Sequence, residues 1–533
     1  MTTVSPDGSE GAAAQQGALF NSDTTEPHMA KKSGKKARKR MTASQMAGQQ
    51  REISISEFFS KNRHLLGFDN PKRALLTTVK EAVDNSLDAC EEAGILPDLV
   101  VRIEEEKIKD RFRVIVRDNG PGIVKKQIPK IFGKLLYGSK FHRLKQSRGQ
   151  QGIGISAAGM YGHLTTGQPV TIISRPDRGK AAHYYEVVID TRANEPKILK
   201  EDTLEEWDWE QGTEVMIKLE GTFQRGLWSV DEYLEETVTA NPHVSLHYVA
   251  PDGRETTYER ATEELPDEPS EIKPHPYGIE LGVLIKMLHE TNSRTLHGFL
   301  ESEFCRVSKR ASLEICETAS LYENARPKRI AQQEAETLLK AMREVKVMNP
   351  PKDCISPIGE ELIEKGMRHY FDADFYTSIT RRPAVYRGVP FVIEAGVAYG
   401  GEMKDKTQVK VHRLANRVPL LYNTGACAAT HAVQQTNWRQ YGVDQPASGM
   451  PVAPMLVLVH MASPWVPFTS ESKEAIANYP EIEKEMVLAL QECARNLRKF
   501  LRKKKRAAEE KRKRNYIETY IPHIGIALQE ILS

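Results

Sequence analysis

No apolar run in this sequence is long enough to cross a bilayer as a helix, and the polar N-terminus lacks the hydrophobic segment of a secretory leader. No membrane partner is therefore expected, and the expected location is cytoplasmic. The six cysteines (Cys90, Cys305, Cys316, Cys354, Cys427, Cys493) lie far apart, with no CxxC, CxxH or HxxH spacing. That argues against a disulfide framework or a zinc site and for reduced, mostly buried thiols. The P-loop pattern GxxxxGK(S/T) does not occur, and no repeat of 20 to 50 residues is found. What is present is ample: 533 residues, 40% of them hydrophobic and 28% charged, too apolar for full disorder and long enough for about three or four domains.

Net charge is small in total and concentrated in place. Residues 31–40 hold seven basic side chains and no acid, and residues 495–514 hold twelve basic and two acidic ones. These two stretches carry +17 within a net +3, leaving the remainder near −14. An acidic body with two polycationic segments suits contact with a polyanion at particular surfaces, although a solvated tail and an exposed helix face fit the charge equally well.

Residues 1–50 are poor in large apolar side chains and read as a disordered tail. Helical and strand patterns then alternate up to a Pro- and Glu-rich stretch at 252–276, which reads as a linker. Residues 278–347 are helical by pattern. Strand signals return at 389–398, 409–411, 418–421 and 455–460, and a helix of about 35 residues, spanning about 50 Å, starts near Pro480.

Three segments point to chemistry. In the helix expected over 71–93, Leu76, Val79, Val83, Leu87 and Cys90 share one face while Glu81, Asn85 and Asp88 lie opposite. An ordinary amphipathic helix gives the same stripe, yet Glu81, Asp84 and Asp88 follow one another without an interleaved cation, a cost that a purely structural face avoids. Alternation in Arg111 to Val116 predicts a strand ending in Asp118-Asn-Gly120-Pro-Gly122, which presents a carboxylate beside backbone that a ligand can approach closely. A plain turn is the alternative reading. Residues 148–158 place Gly149, Gly152 and Gly154 where a helix opens, a cradle for phosphate or merely a flexible turn. A dinucleotide fold is excluded, because no buried strand precedes these glycines and no βαβ unit follows them.

Taken in order, Glu81-Ala-Val-Asp-Asn-Ser-Leu-Asp-Ala89, Asp118-Asn-Gly-Pro-Gly122, Arg148-Gly-Gln-Gln-Gly-Ile-Gly154 and Gln211-Gly-Thr213 resemble the four nucleotide-binding boxes of the GHKL ATPases. Ile53-Ser-Ile-Ser-Glu-Phe-Phe59, Phe132-Gly-Lys-Leu-Leu-Tyr-Gly-Ser-Lys140, Ser356-Pro-Ile-Gly-Glu360, Ile379-Thr-Arg-Arg-Pro383 and Ser472-Lys-Glu-Ala-Ile476 are similar to the ATPase subunits of type IIB topoisomerases. The resemblance runs from about residue 51 to the end.

The resemblance implies an α+β chain: a basic tail (1–50), a GHKL (Bergerat) ATPase sandwich with an N-terminal strap (51–277) and a helix-two-turns-helix insert (278–350). A transducer resembling ribosomal S5 domain 2 follows, with a stalk helix (351–515), then a segment contacting the DNA-cleaving partner of the topoisomerase VI assembly (516–533). It implies ATP and Mg²⁺ as cofactors. Glu81 is the expected general base, Asn85 the Mg²⁺ ligand, and Asp118 with Thr213, Gly120 and Gly122 the adenine site. Ser139 and Lys140 belong to the expected lid, while Gly149, Gln150, Gln151, Gly152, Ile153, Gly154, Ile155 and Ser156 wrap the phosphates. Lys473 is the expected switch lysine reaching the γ-phosphate, and Trp438, Arg439 and Tyr441 form an expected DNA-contact loop with Arg where the family has Lys.

The implied function is relaxation and decatenation of double-stranded DNA by a nucleoid-associated A2B2 heterotetramer whose ATPase subunits dimerise on ATP. Cleavage is carried by the separate, DNA-cleaving half of that tetramer. Asp372-Ala-Asp374 reads as a helix-end turn rather than a metal pair, and no C-terminal immunoglobulin-like domain is expected. A MutL-like repair clamp and a non-hydrolysing ATP-gated scaffold are the alternatives.

Overall fold

Asn70 opens the first long helix by accepting a hydrogen bond from the Lys72 amide at 2.9 Å, and Pro71 supplies the preset φ of a first turn. The stripe Leu76, Val79, Val83, Leu87 and Cys90 is fully buried along it. Each such Leu or Val contributes about 1.5–3 kcal/mol of transfer free energy. The computed structural model describes residues 46–47, 53–138, 144–149, 152–403, 407–447, 449–470 and 472–532. The tail expected over 1–50 lies almost wholly outside them.

From residue 53 the chain forms one unit. Its first part comprises α1 (Ile55–Lys61), α2 (Pro71–Glu92), β1 (Asp98–Glu105), β2 (Arg111–Asp118), α3 (Ile128–Gly133), α4 (Gly154–Thr166), β3 (Val170–Arg175), β4 (Ala182–Asp190), β5 (Glu195–Leu204), β6 (Gly212–Glu220), α5 (Val230–Ala240), β7 (Ser245–Val249) and β8 (Glu255–Tyr258). The strands make one sheet in the order β5-β4-β3-β6-β2-β1-β7-β8, antiparallel except for β1 beside β7. Strand β2 alternates half-buried arginines with buried Phe112, Val114 and Val116, as its sequence predicts. Helices α2, α3 and α4 pack against this sheet. The expected linker is not all linker: Thr256 and Thr257 add the edge strand β8 after the turn at Asp252-Gly253, because a β-branched pair beyond a tight turn extends a hairpin.

Four helices follow, α6 (Leu281–Glu290), α7 (Leu296–Glu303), α8 (Lys309–Thr318) and α9 (Gln332–Glu344), around their own core of Leu284, Phe299, Leu300, Ile315, Leu338 and Met342. The last part contains α10 (Glu360–Tyr370), β9 (Phe375–Thr380), β10 (Ala384–Tyr386), β11 (Val389–Tyr399), β12 (Lys410–Ala415), β13 (Val418–Pro419), α11 (Ala428–Gln435), β14 (Met455–Ala462) and α12 (Pro480–Leu532). Its sheet runs β10-β11-β14-β12-β13, with β9 also on β11. Ile482, Met486, Ala489, Cys493 and Leu497 of α12 are buried against this second core.

Helix α12 is 53 residues, not about 35, and at 1.5 Å per residue spans about 80 Å. It continues through Tyr516 and Pro522 because nothing in 495–515 breaks it; beyond Leu501 its faces are exposed. All six cysteines are unpaired, five buried and Cys305 half-buried. Asp372 and Asp374 sit in the connection between α10 and β9, where Asp374 pairs with Lys504 at 2.7 Å.

Candidate functional site

The polar face of α2 opens onto a cavity of about 600 Å³, walled on its apolar side by Ile123, Phe132, Ile153 and Val215. Asp118 anchors one end. Its carboxylate accepts from Ser86 Oγ at 2.8 Å and from the amides of Gly120 at 3.0 Å and Thr213 at 3.2 Å, while the Thr213 hydroxyl shares a 3.0 Å hydrogen bond with Ser174. Burial pushes the Asp118 pKa up to about 6, against the pull of those three donors. The wall behind it is backbone: Gly122 has φ +68°, and a Cβ there would lie 2.4 Å from the Arg175 carbonyl oxygen. A side chain cannot replace that glycine without moving the strand. This end suits a flat ring that offers an amine to a fixed carboxylate.

The other end is built from Glu81, Asn85 and the start of α4. A Cβ on Gly154 would fall 1.6 Å from Glu81 Oε2, so the missing side chain makes room for the carboxylate at the helix N-terminus, where backbone amides and the helix dipole favour negative charge. Asn85 is exposed to the cavity, and no hydrogen bond from another described residue holds it. An amide oxygen beside glycine-rich backbone fits a hard cation that takes one protein ligand and draws the rest from phosphate and water. Among the described residues, no cluster of three His, Cys, Asp or Glu offers an all-protein metal cage.

Lys473 arrives from the loop before α12. It lines the same cavity and donates from Nζ to the Arg148 carbonyl at 3.0 Å. The neighbouring Glu474 fixes that loop, pairing with Arg73 of α2.

The acid-rich face of α2 finds its cations at a distance. Arg148 donates to Asp88 at 3.0 Å and to both oxygens of Glu91 at 2.7 Å, while Asp84 accepts from Tyr233 at 3.0 Å. Burial raises Asp84 to about 6, opposed chiefly by the charge of Lys80. Burial would also raise Glu91, but the Arg148 charge and its hydrogen bonds with His243 and Arg148 hold that carboxyl well below its ordinary range. Arg148 is thus the cation that α2 lacks from Glu81 to Glu92, a role that its place in the glycine-rich motif conceals.

The structure brings Glu81, Asn85, Asp118, Gly122, Gly149, Gly152, Ile153, Gly154, Ile155, Thr213 and Lys473 to one cavity, with Gly120 supporting Asp118 from behind. Ser156 is not among them: as the third residue of α4 it points the other way, donating to the carbonyls of Ile131 and Lys134 and tying α4 to α3. Ser139, Lys140, Gln150 and Gln151 lie outside the described residues. The expected DNA-contact loop is corrected in part. Trp438 is fully buried with its indole donating to the Val433 carbonyl, and Tyr441 is buried too, because both rings fill the core under α11 and α12. Arg439 alone of the three is exposed.

Residues 70–191 match the family profile described as histidine kinase-, DNA gyrase B- and HSP90-like ATPase, and residues 350–513 match the topoisomerase VI B subunit transducer. Among curated proteins, the chain is 49% identical over 491 residues to the type 2 DNA topoisomerase 6 B subunit of Methanosarcina barkeri, covering 92% of this chain and 79% of that one. It is 48% identical over 489 residues to the protein of the same name from Archaeoglobus fulgidus, covering 91% and 80%. Among solved structures, the ATPase region of Saccharomyces cerevisiae topoisomerase II bound to dexrazoxane aligns at 12% identity and a TM-score of 0.40, covering 85% of this chain and 99% of that one.

Proposed function

The chain belongs to the family of type 2 DNA topoisomerase 6 B subunits, and from that premise we propose how its cavity drives the passage of one duplex through another. It is the ATP-binding and ATP-hydrolysing component of a type IIB topoisomerase and works on DNA with a partner that carries the cleavage. The observation that carries this reading is the convergence on one cavity of Glu81, Asn85 and Asp118 with Lys473 from the far end of the sequence.

Asp118 accepts the adenine amine while its amide and hydroxyl donors keep it in place. The glycines at 149, 152 and 154 let the backbone approach the phosphates, and the α4 amides neutralise their charge. Glu81 faces the same helix end and accepts a proton from the attacking water. Asn85 holds Mg²⁺ through its amide oxygen; the ion, when bound, offsets phosphate charge. Lys473 leaves the Arg148 carbonyl for the γ-phosphate, so hydrolysis is felt by the transducer. Ser139 and Lys140 complete the lid, and Gln150 and Gln151 join the glycines around the phosphates.

The same reading assigns the ATPase domain to 51–277, the helical insert to 278–350 and the transducer to 351–515, in keeping with three separate hydrophobic cores. It gives an A2B2 heterotetramer, ATPase chains that dimerise on ATP, and association with the nucleoid. Residues 516–533 dock on the DNA-cleaving partner, in keeping with the exposed Tyr516, Ile517, Tyr520, Ile521 and Ile524 along a bare helix. The exposed cations of 495–514 and Arg439 are left to DNA. Membership of this family sets aside the repair-clamp and scaffold alternatives.

Relaxation of supercoiled plasmid by the chain with its DNA-cleaving partner, with and without ATP and Mg²⁺, tests the proposal. Relaxation that needs both is expected; ATP hydrolysis with an unchanged linking number would overturn it.

A further inference from the structure

The segment that leads into the glycine-rich loop, residues 146–148, is held from the second sheet's side as firmly as from its own. Gln146 exchanges hydrogen bonds with Ser356, giving from Nε2 to the Ser356 carbonyl at 3.1 Å and receiving the Ser356 amide at 2.8 Å. The Gln146 amide donates to the Cys354 carbonyl at 3.0 Å. Asn416 Nδ2 donates to the Ser147 carbonyl at 2.9 Å, and Lys473 donates to the very next carbonyl, that of Arg148. Two side chains of the transducer therefore grip consecutive carbonyls at the root of the loop.

The two grips differ in kind. Lys473 is half-buried and reaches out from a loop on a flexible stem. Asn416 is buried and locked: its Nδ2 also donates to the Ser463 carbonyl and its Oδ1 accepts the Ser463 amide, both at 2.9 Å. It occupies, with Arg417, the two-residue connection between β12 and β13, where both residues have positive φ, +48° and +67°. Asn is at home in such a turn; Arg, at the position usually given to Gly, is strained there.

What retains Arg417 is its burial among partners. Its guanidinium donates to Ser356 Oγ at 3.1 Å and to the Pro357 carbonyl at 2.9 Å. Its amide donates to His460 Nε2 at 2.9 Å, and its carbonyl accepts from Asn241, which also accepts from Arg148. Buried polar contacts of this kind are costly to break one at a time, so the turn and the loop root move as one body.

Resting on the reading of the chain as a topoisomerase ATPase, we propose that Asn416 is a positioning residue that keeps the root of the glycine-rich loop attached to the transducer. When Lys473 moves to a nucleotide, the Asn416 grip remains, and a displacement of residues 146–148 is passed to the second sheet rather than absorbed at the root. Asn416 touches neither nucleotide nor attacking water; it acts through Ser147.

The test is Asn416→Gly, which keeps the left-handed turn at no steric cost and removes the grip together with the two hydrogen bonds to Ser463 that lock it. Gln146→Ala serves as a second variant that loosens the same root from the other side. Each is assayed in the complex with the DNA-cleaving partner for fluorescent-nucleotide affinity, ATP turnover and strand-passage events per ATP, beside wild type. The expected result is a fivefold or greater fall in events per ATP, on the scale of a coupling free energy of about 1 kcal/mol, with affinity and turnover within about twofold. A ratio equal to wild type in both variants, or a parallel loss of affinity, turnover and passage, would overturn the proposal. If wild type itself relaxes no plasmid, the parent reading fails instead.

Discussion

The two ends of the nucleotide cavity are built on different principles. At the Asp118 end everything is tied: the carboxylate accepts three hydrogen bonds, two from backbone, and Gly122 is pressed against the Arg175 carbonyl. At the Glu81 end, no hydrogen bond from another described residue holds Glu81 or Asn85, and Lys473 rests on a single carbonyl. One end is preorganised and fits recognition, because a fixed acceptor loses little entropy on binding. On the proposed reading the other is assembled only when phosphate and Lys473 meet, which fits a step that must be gated.

That division can be broken at defined points. Glu81→Gln should lower ATP turnover by about 10²- to 10⁴-fold, the usual worth of a general base, while nucleotide affinity stays within a few-fold. Asp118→Asn should do the reverse, weakening affinity by about ten- to a hundredfold, since a charge-assisted acceptor contributes about 1.5–3 kcal/mol, with turnover at saturating ATP largely kept. Lys473→Ala should retain nucleotide binding and lose about tenfold in strand passage per ATP, within the ordinary range of coupling energies; unchanged passage would remove its switch role.

The pH dependence sharpens the same contrast. On the proposed reading Asp118 accepts the adenine amine as a carboxylate, and burial pushes its pKa up to about 6. As pH falls below 6 the carboxyl protonates, and affinity should weaken toward tenfold per pH unit in a binding titration from pH 8 to 5. The same titration on Asp118→Asn should be flat over that range. The smallest effect belongs to Gly122→Ala, where a strained φ and the nearby carbonyl should cost about 1–3 kcal/mol, read as a few degrees in Tm and a few-fold in affinity.

How far the sequence carried the reading follows the physics of each element. Helix α2 and strands β1 and β2 were legible because burial of one face leaves a period of 3.6 or 2. Gly154 at the head of α4 was legible only together with the other boxes, because glycines before a helix serve a flexible turn as well as a phosphate cradle. The fate of Asp84 and Asp88 was not, since their partners Tyr233 and Arg148 are contributed by distant segments. For Trp438 and Tyr441 the resemblance alone implied a DNA contact, while the neighbours that bury them come from α11 and α12. Past residue 515 Tyr516, Ile517, Tyr520, Ile521 and Ile524 do recur at helical spacing, but Pro522 interrupts the pattern and that part of the helix packs on nothing else among the described residues. The Asn416-Arg417 turn gave no signal either: Arg in a left-handed position is explained only by contacts made across the fold.

The most direct test of the divided cavity measures both quantities on both variants: fluorescent-nucleotide affinity and single-turnover hydrolysis for Glu81→Gln and Asp118→Asn. The account predicts a crossed result, with hydrolysis lost and binding kept in the first, and binding weakened and saturated hydrolysis kept in the second. Parallel losses in both variants would contradict it.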